Sequence, residues 1–148
     1  MSFHRGVQQL SKAYQQDALE ARILGAMPAE LVEMLYAAAV QAIGQAEAAI
    51  KMGDFEQKSR MLSKGLDIVS HLEATLNHEQ GGEVAENLST LYRHARARLM
   101  QASLHNDIAE FETVASLLDG LRESWAELGR QQRLSAKGAG SSHGAITV

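Results

Sequence analysis

Apolar residues recur every three or four positions between Gly81 and Ile108, the spacing that places side chains on one face of an α-helix. Gly81 and Gly82 form a break before this stretch, and Asn106 followed by Asp107 is typical of an N-cap that starts the next helix. The pattern therefore predicts one amphipathic helix of roughly 22 residues and about 33 Å. The predicted stripe consists of Val84, Leu88, Leu91, Ala95, Leu99 and Ala102, with Tyr92 on its shoulder.

The segment from Pro28 to about Met52 is apolar over a broad arc. A bundle helix needs about three apolar positions in seven, and this segment offers more, so we expect something to cover the surplus. Pro28 suits the first helical position, with Met27 as a poor N-cap before it. The alanines would let a neighbouring backbone approach closely. One row is Leu31, Leu35, Ala38, Ala42 and Ala49, and the second is Val32, Tyr36, Val40, Ile43 and Ile50.

Two further helices complete the pattern. Gly53 and Asp54 end one helix and cap the next, with Gln57 at the capping-box position. This helix is predicted to end near Glu79, and the last helix is predicted to run from Asp107 to about residue 128. The inward residues are Phe55, Leu62, Leu66, Val69 and Leu76 with Met61, Ile68 and Leu72 beside them, and then Phe111, Val114, Ala115, Leu118, Leu121, Trp125 and Leu128.

The two ends of the chain differ from its middle. Residues 1–24 place Phe3, Val7, Leu10 and Tyr14 at helical steps among polar residues, which predicts a marginal helix that needs a surface to lie on. Residues 129–148 have no apolar period and are predicted to be disordered. Between the ends, short connections must fold consecutive helices back on one another. We therefore predict an all-α protein in which residues 25–128 form an antiparallel up-down four-helix bundle with an additional N-terminal helical segment.

Composition narrows the function classes. The chain has 148 residues, the size of one domain, with 45% hydrophobic and 22% charged residues, which argues against disorder throughout. Cysteine is absent, which excludes disulfides and thiolate metal sites. The net charge of −4 gives no overall attraction to nucleic acid or to an anionic membrane. With no apolar run of about 18 residues and no apolar core of signal-peptide type, neither membrane insertion nor export is indicated, and we expect a cytoplasmic protein.

Residues able to carry chemistry are few. No histidine has a glutamate three residues before it, as a di-iron bundle requires, and His71 and His78 would lie about 10.5 Å apart along a helix. The chain has no phosphate-binding glycine loop and no nucleophile elbow. Arg93, Arg96 and Arg98 with His94 are interpreted as a solvated helix face. No catalytic, cofactor-binding or metal-binding residue is therefore predicted. The apolar surplus instead favours a helix-binding protein whose own N-terminus covers its groove.

Five short motifs follow one another between residue 13 and about residue 128. They are AY at 13–14, PAELVEMLY at 28–36, GGEVAENLSTLY at 81–92, RLMQASLHND at 98–107 and LLDGLRESW at 117–125. In order and spacing this set resembles the FliS family, the flagellar secretion chaperones that bind flagellin. Two positions depart from the family pattern. Met27 stands where serine is usual, and Ala37 and Ala38 stand where Asp-Gly usually follows the MLY.

The resemblance implies a four-helix bundle chaperone, not an enzyme, that binds the C-terminal segment of flagellin in the cytosol. It would prevent premature polymerisation and keep flagellin competent for flagellar type III secretion. The resemblance leaves open whether the flagellar export apparatus is a further partner. An alternative is a helical adaptor or regulator that holds another flagellar protein through the same apolar groove. The predicted groove residues are Leu31, Leu35, Tyr36, Val40 and Ile43, with Tyr14 as a lid or contact.

Overall fold

Four α-helices make up the part of the chain that the structure describes. This computed structural model describes residues 28–146, with side chains for residues 28–131 and for Leu134. The helices are α1 (Ala29–Met52), α2 (Phe55–Ala74), α3 (His78–Leu104) and α4 (Ile108–Ile146), and no strand occurs within these residues. The predicted all-α four-helix bundle is confirmed, whereas the predicted N-terminal helical segment lies outside the described residues.

The turn between α1 and α2 follows the sequence signals. Gly53 adopts a left-handed conformation with φ 74°, and its N–H donates to the Ile50 carbonyl at 3.0 Å. The Asp54 side chain then accepts the Gln57 backbone N–H at 3.1 Å, as an N-cap should. At the other end of α1, Pro28 is the N-cap and not the first helical residue, and its carbonyl accepts the N–H of Leu31 at 3.0 Å.

The connection between α2 and α3 differs from the prediction. Helix α2 ends at Ala74 and not near Glu79, because Asn77 caps the next helix by accepting the Gln80 N–H at 3.0 Å. The predicted glycine break is present as a kink inside α3, where Gly82 has φ 55° and ψ −130°. Asparagine is one of the strongest capping residues, so it starts the helix before the glycine pair is reached.

The connection between α3 and α4 is formed by the predicted pair. Asn106 adopts φ 51°, a left-handed conformation that asparagine tolerates, and Asp107 accepts the Glu110 N–H at 3.2 Å. Helix α4 then continues past Leu128 to Ile146, although residues 129–148 were expected to be disordered. The segment contains glycine and serine but no proline, so an already nucleated helix can propagate by one backbone hydrogen bond per residue.

Helix α1 lies between α2 and α4 and makes the closest helix–helix contacts, while α3 closes the bundle by packing on α2 and α4. Small residues allow the close approach of α1 and α2, as the alanine pattern predicted. A Cβ placed on Gly65 would lie 3.5 Å from Ile43 Cγ1, 3.7 Å from Ala42 Cβ and 3.8 Å from the Ala39 carbonyl oxygen. The space at Gly65 therefore fits one methyl group and no larger side chain.

The inward faces largely match the predicted stripes. On α4, every predicted inward residue except Ala115 is fully buried, and Ala115 packs against the core. On α3 the face is turned slightly, so Tyr92 is at its centre and fully buried while Val84 and Leu91 are half-buried. The exception on α2 is Phe55, which was predicted to face inward and is 52% exposed at the helix start.

The contact between α1 and α2 can be tested at two glycines. Gly65→Ala should raise the free energy of unfolding by about 0.5–1 kcal/mol, because alanine is favoured over glycine inside a helix and its methyl group fits. Gly65→Leu should lower it by about 1–3 kcal/mol through overpacking. Gly44 is the matched control, since it is exposed on α1 with no atom within 4 Å of an added Cβ. Urea unfolding followed by circular dichroism measures the free energy of unfolding of each variant. Equal stability of Gly65→Leu and Gly44→Leu would contradict the close approach of α1 and α2.

Candidate protein-binding surface

The groove residues predicted on α1 do not share one face of the helix. Leu31 is 42% exposed, and Leu35 and Val40 are half-buried, whereas Tyr36 and Ile43 have no exposed surface. At 100° per residue, Leu35 and Val40 lie about 140° apart around the helix, with Tyr36 and Ile43 between them facing the core. Tyr14, the predicted lid or contact, lies outside the described residues.

The placement of Tyr36 and Ile43 on a groove is therefore corrected, because both side chains lie inside the bundle. Ile43 Cγ1 would lie 3.5 Å from a Cβ placed on Gly65 of α2. The Tyr36 hydroxyl is hydrogen-bonded to side chains of α3 and α4. In this conformation neither residue is available to a partner.

The exposed apolar residues of the N-terminal half of α1 form one flank, here called the outer flank. Met34 is 66% exposed and was not among the predicted groove residues, although its spacing of three from Leu31 is a helical one. The flank borders α2, because Ala42 lies against Gly65 of α2. Ala38 and Leu35, four and seven positions before Ala42, share its face of the helix. The outer flank consists of Leu31, Met34, Leu35 and Ala38.

Two open clefts lie along α2, one of them shared with α1. The first, of about 510 Å³, lies where α1 ends and α2 begins and is lined by Gln45, Ala48, Ala49, Met52, Asp54 and Gln57. The second, of about 630 Å³, follows the surface of α2 between Ser59 and Ile68. Leu31 and Met52 are separated by about 31 Å along α1, so the outer flank and the first cleft together have the length of a helix of about 20 residues.

The opposite flank of α1, which contains Val40, is polar. Val40 stands seven residues after Glu33 and seven before Glu47, so the three side chains share a row. Glu33 pairs with Arg122 of α4 at 3.5 Å. Partial burial and then a hydrogen bond with Glu112 of α4 raise the pKa of Glu47, in spite of its contact with Lys51 at 3.5 Å. The Glu33–Arg122 pair ties α1 to α4, and this row of carboxylates leaves little apolar surface on this side.

Three aromatic side chains from three helices meet in the core. The Tyr36 and Tyr92 hydroxyls are hydrogen-bonded to each other, with ring centroids 6.2 Å apart, and the Trp125 Nε1–H donates to the Tyr36 hydroxyl at 3.3 Å. Burial raises the pKa of Tyr36 to about 12 and that of Tyr92 well above its usual value, so both stay neutral. Leaving any of these buried polar groups without a partner costs about 1–3 kcal/mol.

The arginines of the predicted basic patch on α3 are engaged in ion pairs. Glu73 of α2 lies 2.7 Å from Arg96 and 3.5 Å from Arg93, and accepts a 2.8 Å hydrogen bond from Ser89. Partial burial acts to raise the pKa of Glu73, but the hydrogen bond from Ser89 and the adjacent Arg96 guanidinium outweigh it and hold the pKa below the usual value. Arg98 pairs with Glu110. The patch therefore joins neighbouring helices more than it presents free positive charge.

The described side chains and helices do not indicate a metal site or a membrane span. Over the described part of the chain, no group of three or more histidine and acidic side chains is placed to hold a metal ion. None of the helices there is long and apolar enough to cross a membrane. The fold and its exposed apolar flank together define a class of protein, a small helical bundle with an apolar surface of the kind that marks protein-binding sites.

Comparison with known proteins gives the family. The family described as "Flagellar protein FliS" matches residues 10–132, so the chain belongs to the FliS family. The chain is 40% identical over 118 residues to the flagellar secretion chaperone FliS of Salmonella typhimurium, covering 79% of this chain and 87% of that protein. It is 32% identical over 114 residues to the flagellar secretion chaperone FliSB of Pseudomonas aeruginosa, covering 77% and 90%. The predicted family membership is confirmed, and the family is one of chaperones and not of enzymes.

Proposed function

We propose that this protein is a cytoplasmic export chaperone that binds the C-terminal segment of flagellin. Binding would prevent premature polymerisation and keep flagellin competent for flagellar type III secretion. The observation that carries the proposal is the outer flank, where Leu31 and Met34 expose apolar side chains to solvent on a bundle whose core is already closed. The names of the relatives, which are flagellar secretion chaperones, support the export role.

A physical argument connects this surface to that task. An amphipathic segment that packs only inside a filament leaves its apolar face free before assembly, and a free apolar face promotes aggregation. An apolar row at helical spacing, such as the outer flank, is suited to the apolar face of a second helix. Because the client segment must become ordered when it binds, part of the binding energy is lost as entropy. The affinity would therefore be lower than the same contacts with a preformed helix would give.

The direct test compares two forms of flagellin. The purified protein should co-elute with full-length flagellin from a sizing column as a one-to-one complex, and should not co-elute with flagellin that lacks its C-terminal segment. The alternative function, an adaptor or regulator that holds another flagellar protein through the same flank, predicts no complex with either form. Equal binding of both forms would place the client site outside the flagellin C-terminus.

Charge placed on the outer flank should abolish binding without affecting the fold. Met34→Asp and Leu31→Asp should each weaken binding of a flagellin C-terminal peptide by at least about tenfold, because a charge would lie against the apolar face of the client. Titration calorimetry measures the affinity, and circular dichroism checks the helix content and melting temperature.

Met100→Asp is the matched control for these variants. Met100 has similar exposure, 57%, but lies on α3, which does not neighbour α1 in the bundle. Its substitution should leave peptide binding unchanged. If Met34→Asp bound the peptide as the wild type does, or if only Met100→Asp lost binding, the outer flank would not be the client site.

Residues 1–24, which precede the bundle, are proposed as a cover for the client site in the free chaperone. Their apolar row of Phe3, Val7, Leu10 and Tyr14 is the motivation, because a marginal helix of this kind needs an apolar surface to lie on. Deleting residues 1–20 should therefore tighten or accelerate binding of the flagellin peptide, measured by stopped-flow fluorescence. Markedly weaker binding after the deletion would mean that this segment belongs to the client site itself.

A further inference from the structure

Helix α1 has two apolar faces, and its rotation decides which of them packs in the core. The buried face contains Tyr36 and Ile43, and the outer flank contains Leu31, Met34 and Leu35. Leu31 lies about 140° from Tyr36 around the helix, and Leu35 about 100°. A rotation of α1 by roughly 60° would bring Leu31 and Leu35 to the core and carry Tyr36 towards the surface. Apolar burial alone discriminates weakly between these two rotations, since both place aliphatic side chains inside.

A directional interaction separates the two rotations. In the observed one, the Tyr36 hydroxyl accepts the Trp125 Nε1–H at 3.3 Å and is hydrogen-bonded to the Tyr92 hydroxyl. A rotation that moved Tyr36 outward would leave the Tyr92 hydroxyl and the Trp125 N–H in the core without this partner. Hydrogen bonds require defined distances and angles, so they penalise a rotation that apolar packing would tolerate.

We propose that Tyr36, Tyr92 and Trp125 are positioning residues for the client site. Their hydrogen bonds fix the rotation of α1 and so keep Leu31 and Leu35 out of the core and in the outer flank. The triad joins α1 to α3 and α4, which are the two helices that the small-residue contact of α1 with α2 does not involve. The consequence for the client rests on the proposed function, but the rotation of α1 can be measured without any client.

Within the triad, the connections of Tyr36 and Tyr92 are unequal. Tyr36 contacts both other members, whereas Tyr92 has a hydrogen bond to Tyr36 and none to Trp125. Tyr36→Phe therefore removes both hydrogen bonds of the triad. Tyr92→Phe removes only one, and the Tyr36 hydroxyl still accepts the indole N–H. The two substitutions make the same chemical change at equally buried positions, so each is the matched control for the other.

The chain has no cysteine, so a single introduced thiol can report the rotation of α1. Leu31→Cys and Ile43→Cys are made separately in the wild type, in Tyr36→Phe and in Tyr92→Phe, and maleimide labelling rates are measured under folding conditions. In the wild type the thiol at 31 should react at least 100-fold faster than the thiol at 43, because Leu31 is exposed and Ile43 is buried. In Tyr36→Phe the thiol at 43 should react at least tenfold faster and the thiol at 31 several-fold slower, and Tyr92→Phe should show a smaller change.

The slower reaction at position 31 is the decisive readout. Loss of stability alone would increase the exposure of position 43 and would not protect position 31. Unchanged labelling at both positions in a folded Tyr36→Phe would overturn the proposal, as would an equal effect of Tyr92→Phe. The emission of Trp125, the single tryptophan, and circular dichroism verify that each variant is folded. If Tyr36→Phe does not fold, the comparison of Tyr92→Phe with the wild type decides, because an unchanged rate at position 31 there would also overturn the proposal.

Binding of the flagellin peptide separates this proposal from the proposed function. In Tyr36→Phe the peptide should bind at least fivefold more weakly, since Leu31 and Leu35 are turned towards the core for most of the time. The expected labelling changes without any peptide binding to the wild type would overturn the flagellin proposal and leave the positioning role intact. Unchanged labelling together with normal peptide binding would overturn the positioning role and leave the flagellin proposal intact.

Discussion

The buried hydroxyl of Tyr36 is the constraint on which the arrangement of this bundle depends. A hydroxyl with no access to water must find its hydrogen-bonding partners inside the protein. Tyr36 finds them in Tyr92 on α3 and Trp125 on α4, so one side chain of α1 relates three helices to one another. The fourth helix, α2, is held differently, through the close contact of Gly65 with Ala42 and Ile43. Directional bonds on one side of α1 act on its rotation, and small residues on the other side set its close distance from α2.

The two flanks of α1 differ in character because their neighbours differ. Towards α4, Glu33 and Glu47 meet Arg122 and Glu112, and these polar contacts occupy the surface around Val40. Towards α2 the contact is made by small residues, so the larger apolar side chains of Leu31 and Met34 remain outside it. A partner helix would therefore find apolar surface only on the side of α2. This asymmetry supports the proposed binding of an amphipathic segment at the outer flank.

Local signals in the sequence explain most of the helix boundaries, and competition between signals explains the rest. Gly53, Asp54 and Asp107 act as predicted, because each satisfies backbone groups that the helix end leaves unpaired. The glycine pair at 81–82 does interrupt the helix, since Gly82 is not in a helical conformation, but Asn77 caps an additional helical turn before it. Helix α4 continues to Ile146 because nothing in the tail blocks backbone hydrogen bonding, even though the apolar period ends near Leu128.

The sequence by itself determined the helical class, the number of bundle helices, the inward stripe of α4 and the family, since each follows from local periodicity or from the order of motifs. It did not determine which part of the broad apolar arc of α1 faces the core. Helical periodicity fixes the angles between Leu31, Tyr36 and Val40 but not the direction in which the helix is turned. That direction depends on what other helices provide, and only the tertiary structure brings Tyr92 and Trp125 to the Tyr36 hydroxyl and leaves Met34 outside.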